Sequence, residues 1–258
     1  MILGISYGHG DSSAALIVGD KVVAAAEEER FTRVKHFALF PYNAVQYVLR
    51  HANLGPHQVD VVAIPRKPNN QFWQKVRLVA QNPNLMWAKK PAAAVAPEPL
   101  KAALRKAGIL HAKVQHVEHH LAHLMSVRAM FPGEQMALLS FDGLGDFVSA
   151  SMGCADGLSA KVLDRVLFPH SLGFFYTAMT QFLGFPYYGD EFKVMGLSSY
   201  GHPKQLPAMR ELIREVEPFG FRLNLEAFPL LQDPYKLFIE DMQPKVLPMY
   251  TSSFVTHL

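Results

Sequence analysis

Three histidines lie close together in the segment Glu118-His119-His120-Leu121-Ala122-His123. On an α-helix, His119 and His123 are one turn apart and share a face, whereas His120 is rotated away by about 100°. Both imidazoles on the shared face can point at one ion. Imidazole suits zinc, iron, copper or nickel, and a carboxylate commonly completes such a ligand set. Asp142, at the end of the next predicted strand, is the candidate carboxylate, so we predict a metal site at His119, His123 and Asp142.

The alternative interpretation of this segment is a pair of solvated or core histidines on a helix. Five of the twelve histidines lie between His111 and His123, which favours the metal site. A metalloprotease is excluded, because such enzymes carry a glutamate directly after the first histidine of the pair, and His120 stands there instead.

A second signal is the turn Asp142-Gly143-Leu144-Gly145-Asp146. Glycines let backbone N–H groups approach phosphate oxygens closely, and an acidic residue beside them can hold a neutralising cation. We therefore predict nucleotide contacts from Gly143, Gly145 and Asp146. The alternative is a plain hairpin turn, which an Asp-Gly pair also favours.

A third signal is the block from Ser171 to Gly201, which is rich in glycine and aromatic residues. Lys193 stands among small residues and could reach a phosphate, so we predict nucleotide contacts from Gly173, Lys193 and Gly196. The alternative is an aromatic-rich helix that packs under a loop, and composition does not choose between the two.

The elements that must position these residues alternate between strand and helix. Three predicted strands open the chain, at residues 2–6, 14–18 and 21–26. The first turn, His9 to Ser13, supplies small residues and donors to a phosphate, so we assign nucleotide contacts to Asp11 and Ser12 as well. Further elements follow by periodicity: helices at 41–52 and 118–130, and strands at 59–64, 113–117, 136–141 and 147–153.

This alternation predicts an α/β protein, and the two hairpins predict two related lobes that face a nucleotide cleft. We place the first lobe at residues 1–133 and part of a second at 134–258. The Pro-rich stretch 82–99 reads as an irregular insertion, and residues 206–216 as a helix in the tail.

Composition excludes several classes of protein. The net charge is +3 over 258 residues and the basic residues are scattered, so no nucleic-acid partner is indicated. Cys154 is the single cysteine, which excludes an intrachain disulfide and a Cys-based zinc cluster and indicates a reducing compartment. We find neither a basic leader nor a long apolar run, so we expect a soluble, cytoplasmic protein with no membrane partner.

Over about residues 2 to 201, the chain resembles the NodU/CmcH carbamoyltransferases in the order and spacing of its motifs. One difference is Gly10, which separates His9 from Asp11, two residues that are adjacent in many relatives. The motifs that carry the resemblance are Gly4-Ile5-Ser6, His9, Asp11 to Leu16, Glu27 to Phe31, Lys35-His36, Phe40-Pro41, His119 to His123, Asp142 to Asp146 and Ser171 to Gly201.

The resemblance implies an actin-like ATPase (ribonuclease H-like) fold and a carbamoyl transfer. Such enzymes use carbamoyl phosphate and ATP, with Mg, to make carbamoyl adenylate, and then carbamoylate a hydroxyl of a sugar or natural-product acceptor. An Fe(II)-type ion would sit on the predicted metal ligands and hold the nucleotide phosphates. His9 would be the general base. Lys35 would contact phosphate or acceptor, the alternative being a solvated surface lysine.

Full family members also carry a YrdC-like carboxy-terminal domain. Because the chain ends at Leu258, we expect this domain and the rest of the second lobe to be absent, and the chain alone not to complete the transfer. A separate carboxy-terminal half, or a homo-oligomer, is left open. The alternatives are an incomplete metal- and nucleotide-binding module that acts with a partner chain, and a tRNA threonylcarbamoyl-type factor.

Overall fold

A computed structural model describes residues 1–83, 98–131, 133–157, 159–185, 187 and 189–227. These residues form two compact units. The first contains residues 1–67 and 98–118, and the second contains residues 68–83 and those from His119 onward. The chain thus passes between units at Glu118, whereas the predicted division at 133 put the following helix in the first lobe. The lobes stay a prediction, and most of the predicted insertion at 82–99 lies outside the described residues.

The first unit is built on a mixed sheet with the order β3-β2-β1-β4-β5. β1, β2 and β3 form an antiparallel meander, and β4 and β5 continue from β1 in parallel. This arrangement confirms the predicted α/β class, and its order is that of the ribonuclease H-like sheet of the actin-like ATPase fold. The strands are β1 (Ile2–Ser6), β2 (Ser13–Val18), β3 (Lys21–Glu27), β4 (Val61–Ile64) and β5 (Lys113–His116).

Alternating side chains explain the core of this unit. Leu3 and Ile5 of β1 are buried, as is Leu16 of β2, because residues at period two share a face of the sheet. The helices of the unit are α1 (Glu29–Thr32), α2 (Tyr42–His51) and α4 (Leu100–Lys106), with a short 3₁₀ helix at Pro56–Gln58. α2 buries Val45 and Val48 in the same core.

The second unit contains an antiparallel sheet with the order β6-β7-β8, so both units carry a three-stranded meander. The strands are β6 (Met136–Gly145), β7 (Val148–Asp156) and β8 (Ser159–Leu167). The predicted hairpin is thus confirmed, and β8 is an addition. The helices α3 (Phe72–Gln81), α5 (His119–Met130), α6 (Leu172–Phe182) and α7 (Glu191–Ser198) belong to the same unit, and α5 and α6 both contact β6. Cys154 is exposed on β7, opposite Ala137 of β6.

The tail differs from its prediction. The helix α8 (Leu206–Leu212) ends earlier than the predicted residue 216, because β9 (Ile213–Glu215) pairs with β10 (Phe221–Leu223). This pairing depends on β10, which lies beyond the periodic segment, so the helical pattern could not predict it. Within the described ranges, no helix has both the length and the apolar character needed to cross a bilayer.

Candidate metal centre

The three predicted ligands converge in the second unit. Nε2 of His119 lies 2.8 Å from Oδ2 of Asp142 and 3.0 Å from Nε2 of His123. Nε2 of His123 lies 3.7 Å from the same carboxylate oxygen. The side chain of His119 is 10% exposed, that of Asp142 34% and that of His123 50%, so one side of the cluster faces solvent. The cluster therefore has room for a further ligand supplied by a bound molecule.

The charge of Asp142 suits a cation. Burial by itself would raise the pKa of Asp142, but hydrogen bonds and charge interactions from His119 and His123 outweigh it and hold that pKa well below its usual range. The carboxylate is thus ionised at neutral pH. Two imidazole nitrogens and one carboxylate oxygen, all within 4.8 Å of one another, fit a divalent transition-metal ion.

Asp146 holds the first turn of α5 in place. It is buried, and its Oδ2 accepts a hydrogen bond of 3.0 Å from the backbone N–H of His119. The first N–H groups of a helix lack partners within the helix, and an acidic side chain there also complements the helix dipole. Asp146 thereby fixes the backbone from which the predicted ligand His119 projects. Its predicted contact with a nucleotide stays a prediction.

His120 ties α5 to two strands. It is fully buried, with Nε2 2.9 Å from the carbonyl oxygen of Val148 and Nδ1 3.0 Å from Oγ of Ser140. A carbonyl can only accept, so Nε2 carries the proton and Nδ1 accepts from the hydroxyl. Burial lowers the pKa of His120 to about 4, although the bond to Val148 acts the other way. We predicted no role for His120. Its position on the helix, turned away from the face that carries His119 and His123, indicated a contact with the core.

Two of the predicted glycines are required by close packing. A Cβ atom on Gly145 would lie 2.0 Å from Cδ2 of His119, and one on Gly173 would lie 2.7 Å from the carbonyl oxygen of Asp142. At Gly143 a Cβ atom would meet a ring carbon of Phe174 at 3.4 Å, which is close to ordinary contact. Glycine at 145 therefore makes room for the ring of His119, and the predicted phosphate contacts stay predictions.

Ser171 connects α6 to the turn that holds Asp142. Its Oγ accepts a hydrogen bond of 3.0 Å from the N–H of Phe174 and so caps the helix. The same hydroxyl donates to the carbonyl of Gly143 at 2.6 Å. One side chain therefore fixes both the start of a helix and the position of the turn that contains Asp142.

Lys193 and Gly196 both lie on α7. Nζ of Lys193 is 2.6 Å from Oδ1 of Asp190, whose side chain is almost fully buried. A phosphate contact by Lys193 would thus have to compete with this carboxylate. Gly196 is exposed, with open space where a Cβ atom would stand. The role assigned to both residues stays a prediction.

The first unit holds the other predicted residues. In the turn between β1 and β2, Nδ1 of His9 lies 3.0 Å from the carbonyl oxygen of Gly10, and Nε2 lies 3.2 Å from Oγ of Ser6. Nδ1 must therefore carry the proton, which leaves Nε2 as the acceptor and the basic atom. Asp11 is exposed, and its Oδ1 is 2.9 Å from Nδ1 of His36.

Ser12 and Lys35 contrast in their surroundings. Ser12 is 1% exposed, and its hydroxyl has no hydrogen-bond partner among the described residues, although its backbone N–H donates to Phe37 at 2.8 Å. Lys35 is exposed. Their assigned contacts with nucleotide and acceptor remain predictions.

Glu28 is a buried residue for which we predicted no role. Its carboxylate accepts hydrogen bonds from the backbone N–H groups of Asn43 at 3.2 Å and Ala44 at 2.8 Å, and from Nδ2 of Asn43 at 2.6 Å. These N–H groups belong to the first turn of α2, so Glu28 caps that helix from a distant segment.

Comparison with known proteins identifies the class. The family model described as carbamoyltransferase N-terminus matches residues 1–234. The chain therefore belongs to the carbamoyltransferase family, as the resemblance of its motifs implied.

Individual relatives agree with this assignment. The Synechocystis protein sll1178 is 34% identical over 240 residues, which are 88% of this chain and 39% of that protein. Nodulation protein NolNO of Sinorhizobium fredii is 30% identical over 226 residues, which are 84% of this chain and 32% of that protein. The chain thus spans 32% to 39% of the length of these curated relatives.

Among solved structures, YeaZ from Pseudomonas aeruginosa is a distant neighbour. The likeness covers 65% of this chain and 67% of that one, at 13% identity and a TM-score of 0.36. A likeness at this level does not define a function.

Proposed function

We propose that this chain is the amino-terminal part of an O-carbamoyltransferase. In this reaction, carbamoyl phosphate, ATP and water yield carbamoyl adenylate, phosphate and pyrophosphate. The carbamoyl group then passes to a hydroxyl of a sugar or natural-product acceptor. The observation that carries the proposal is the convergence of His119, His123 and Asp142 in a chain of the carbamoyltransferase family.

His119, His123 and Asp142 would hold a divalent ion of the Fe(II) type. When bound, such an ion offsets the negative charge of nucleotide phosphates and polarises the leaving group. Asp146 and His120 hold the start of α5 so that His119 faces Asp142 before any ion arrives. Binding then requires little rearrangement of the ligands.

His9 would take the proton of the acceptor hydroxyl. As the acceptor oxygen bonds to the carbamoyl carbon, the bond from that carbon to the phosphate oxygen breaks and AMP leaves. The released proton needs a base within hydrogen-bond reach, and Nε2 of His9 is the unprotonated nitrogen of that ring. Ser6 orients this nitrogen through its hydroxyl, so a hydroxylated acceptor could take the place of Ser6 as donor.

A second candidate is a metal- and nucleotide-binding module that acts with a partner chain. The chain spans 39% of the length of sll1178 and 32% of that of NolNO. The two candidates share the metal centre. They differ in whether the remaining part of the relatives must be supplied before carbamoyl transfer is seen.

The test is a calorimetric titration of the purified chain with ATP, with and without Fe(II) or Mn(II). We expect ATP binding to require the metal, and both His119→Ala and His123→Ala to abolish it. His111→Ala is the matched control, because His111 is exposed and lies outside the cluster. ATP binding that is equal with and without metal, or unchanged in both variants, would refute the proposal.

A further inference from the structure

We propose that Asp11, Glu29 and His36 form a second binding site for a divalent cation, within the first unit. This proposal does not depend on the carbamoyltransferase function. The three residues come from different segments: the turn before β2, the helix α1 and the loop that follows it. Each offers one ligand atom, and these atoms all lie within 4.8 Å of one another.

The backbone fixes the three segments together. The N–H of Ser12 donates to the carbonyl of Phe37 at 2.8 Å, and the N–H of Glu28 donates to the carbonyl of Ser12 at 2.8 Å. Residues 12, 28 and 37 are each the direct neighbour of one proposed ligand. The ligands are therefore carried by backbone that is already bonded together, and not by three independent loops.

Side-chain contacts hold the ligands in reach of one ion. Nδ1 of His36 is 2.9 Å from Oδ1 of Asp11, and Oε2 of Glu29 accepts a bond of 3.2 Å from the N–H of His36. An ion with bonds of about 2.1 Å holds neighbouring ligand atoms roughly 3 Å apart. Small side-chain rotations therefore suffice to replace the contact between Asp11 and His36 by two bonds to a cation.

The charge of the cluster also calls for a cation. Asp11 and Glu29 are both carboxylates, and in the described part of the chain neither forms an ion pair with a lysine or arginine. The nearby Arg30 pairs instead with Glu27, at 3.4 Å. A divalent ion would neutralise the two carboxylates.

The ligand set defines the class of ion. One imidazole and two carboxylates suit Mn²⁺, Fe²⁺ or Zn²⁺ better than an all-oxygen site would. Three protein ligands leave further coordination positions for water or a bound anion. Asp11 is exposed and the other two residues are partly exposed, so such a ligand can approach from solvent.

The test is a titration of the whole chain with Mn²⁺ up to millimolar concentration. Electron paramagnetic resonance measures the free ion, and the difference from the total gives the number of ions bound per chain. In a His119→Ala/His123→Ala background we expect one equivalent to remain. Glu29→Gln or Asp11→Asn in that background should remove it. His36→Gln should remove the coupling of Mn²⁺ to an imidazole nitrogen in pulsed spectra.

Glu27→Gln and Asp20→Asn are the matched controls, and each should still bind one equivalent of Mn²⁺ in the same background. Circular dichroism checks that each variant is folded. Loss of the fold is not expected, because Asp11 is exposed and Glu29 and His36 are partly exposed. No bound Mn²⁺ in the double-alanine background would overturn the proposal, and so would an equivalent that survives both Glu29→Gln and Asp11→Asn. Neither result bears on the cluster at His119, which the background already lacks.

Discussion

At the scale of single residues, the imidazole of His119 lies against the backbone of Gly145. The space between them leaves no room for even one carbon atom. A buried ring has few other rotamers available, because the surrounding atoms are close-packed. The absence of a side chain at residue 145 and the hydrogen bond to Asp146 therefore set the position of His119, a predicted metal ligand.

Gly145→Ala should displace His119 and weaken metal binding. We expect a loss of affinity of about 10- to 100-fold, which is typical when the support of a ligand is removed. Overpacking should also lower the free energy of unfolding by about 1–3 kcal/mol. A Mn²⁺ titration and urea unfolding measure the two effects. Gly143→Ala is the control, and equal metal affinity in both variants would contradict this account.

The buried His120 predicts a pH dependence of the metal-free protein. Its pKa is about 4 in the folded chain, against an ordinary value of 6.5, so the unfolded state binds the extra proton. The free energy of unfolding should therefore fall by up to about 3 kcal/mol as the pH drops from about 6.5 towards 4. Asp142 acts in the same direction only as the pH nears its ordinary value of 3.8.

Urea unfolding at several pH values, with a chelator present, measures this dependence. His120→Gln should reduce the slope of the curve between pH 6.5 and 5, because the variant lacks the buried imidazole at position 120. The exposed His111→Gln is the matched control and should leave the slope as it is in the native sequence. A slope that His120→Gln leaves intact would place the titrating group elsewhere.

At the scale of elements, the start of α2 depends on a residue outside the helix. Glu28 is 2% exposed and satisfies two of the N–H groups that a helix leaves without internal partners. Its neighbour Glu27 instead makes an exposed pair with Arg30. Two adjacent glutamates therefore contribute very differently to the same unit.

Glu28→Ala should lower the free energy of unfolding by about 1–3 kcal/mol, because buried N–H groups lose their acceptor. Glu27→Ala removes only an exposed ion pair and should cost less than about 1 kcal/mol. Chemical unfolding of both variants gives the comparison. Equal losses in the two variants would mean that the cap does not stabilise α2.

Local patterns predicted much of this fold. The meander of β1 to β3, the helix α2 and the helix α5 follow from periodicity, because side chains at fixed spacing share one face. The pair of His119 and His123 was predictable for the same reason. The contacts of Asp146, Gly145 and Glu28 were not, since each depends on a residue brought close by packing. β9 was not predicted, because the periodic pattern favours a helix up to residue 216, whereas pairing with β10 makes residues 213–215 a strand.

At the scale of the whole molecule, metal binding should stabilise the chain. A ligand that binds only the folded state adds about 2.7 kcal/mol at a concentration of 100 times its Kd. Calorimetric scans with Mn²⁺ should show a higher Tm for the native sequence and a smaller rise for the His119→Ala/His123→Ala variant. If the two compact units unfold in separate transitions, the difference should appear in one of them. An identical rise in both proteins would argue against a metal centre at α5.

The exposed Cys154 allows distances to be measured from a fixed point on the hairpin of β6 and β7. It is the single thiol of the chain, so a nitroxide label attaches at one place without further mutation. Cys154 pairs across the sheet with Ala137 of β6. Asp142 follows Ala137 by five residues on β6, which corresponds to about 17 Å along the strand at the rise of an antiparallel strand. Dipolar relaxation of the label by a paramagnetic ion would then locate that ion directly, in solution and without crystals.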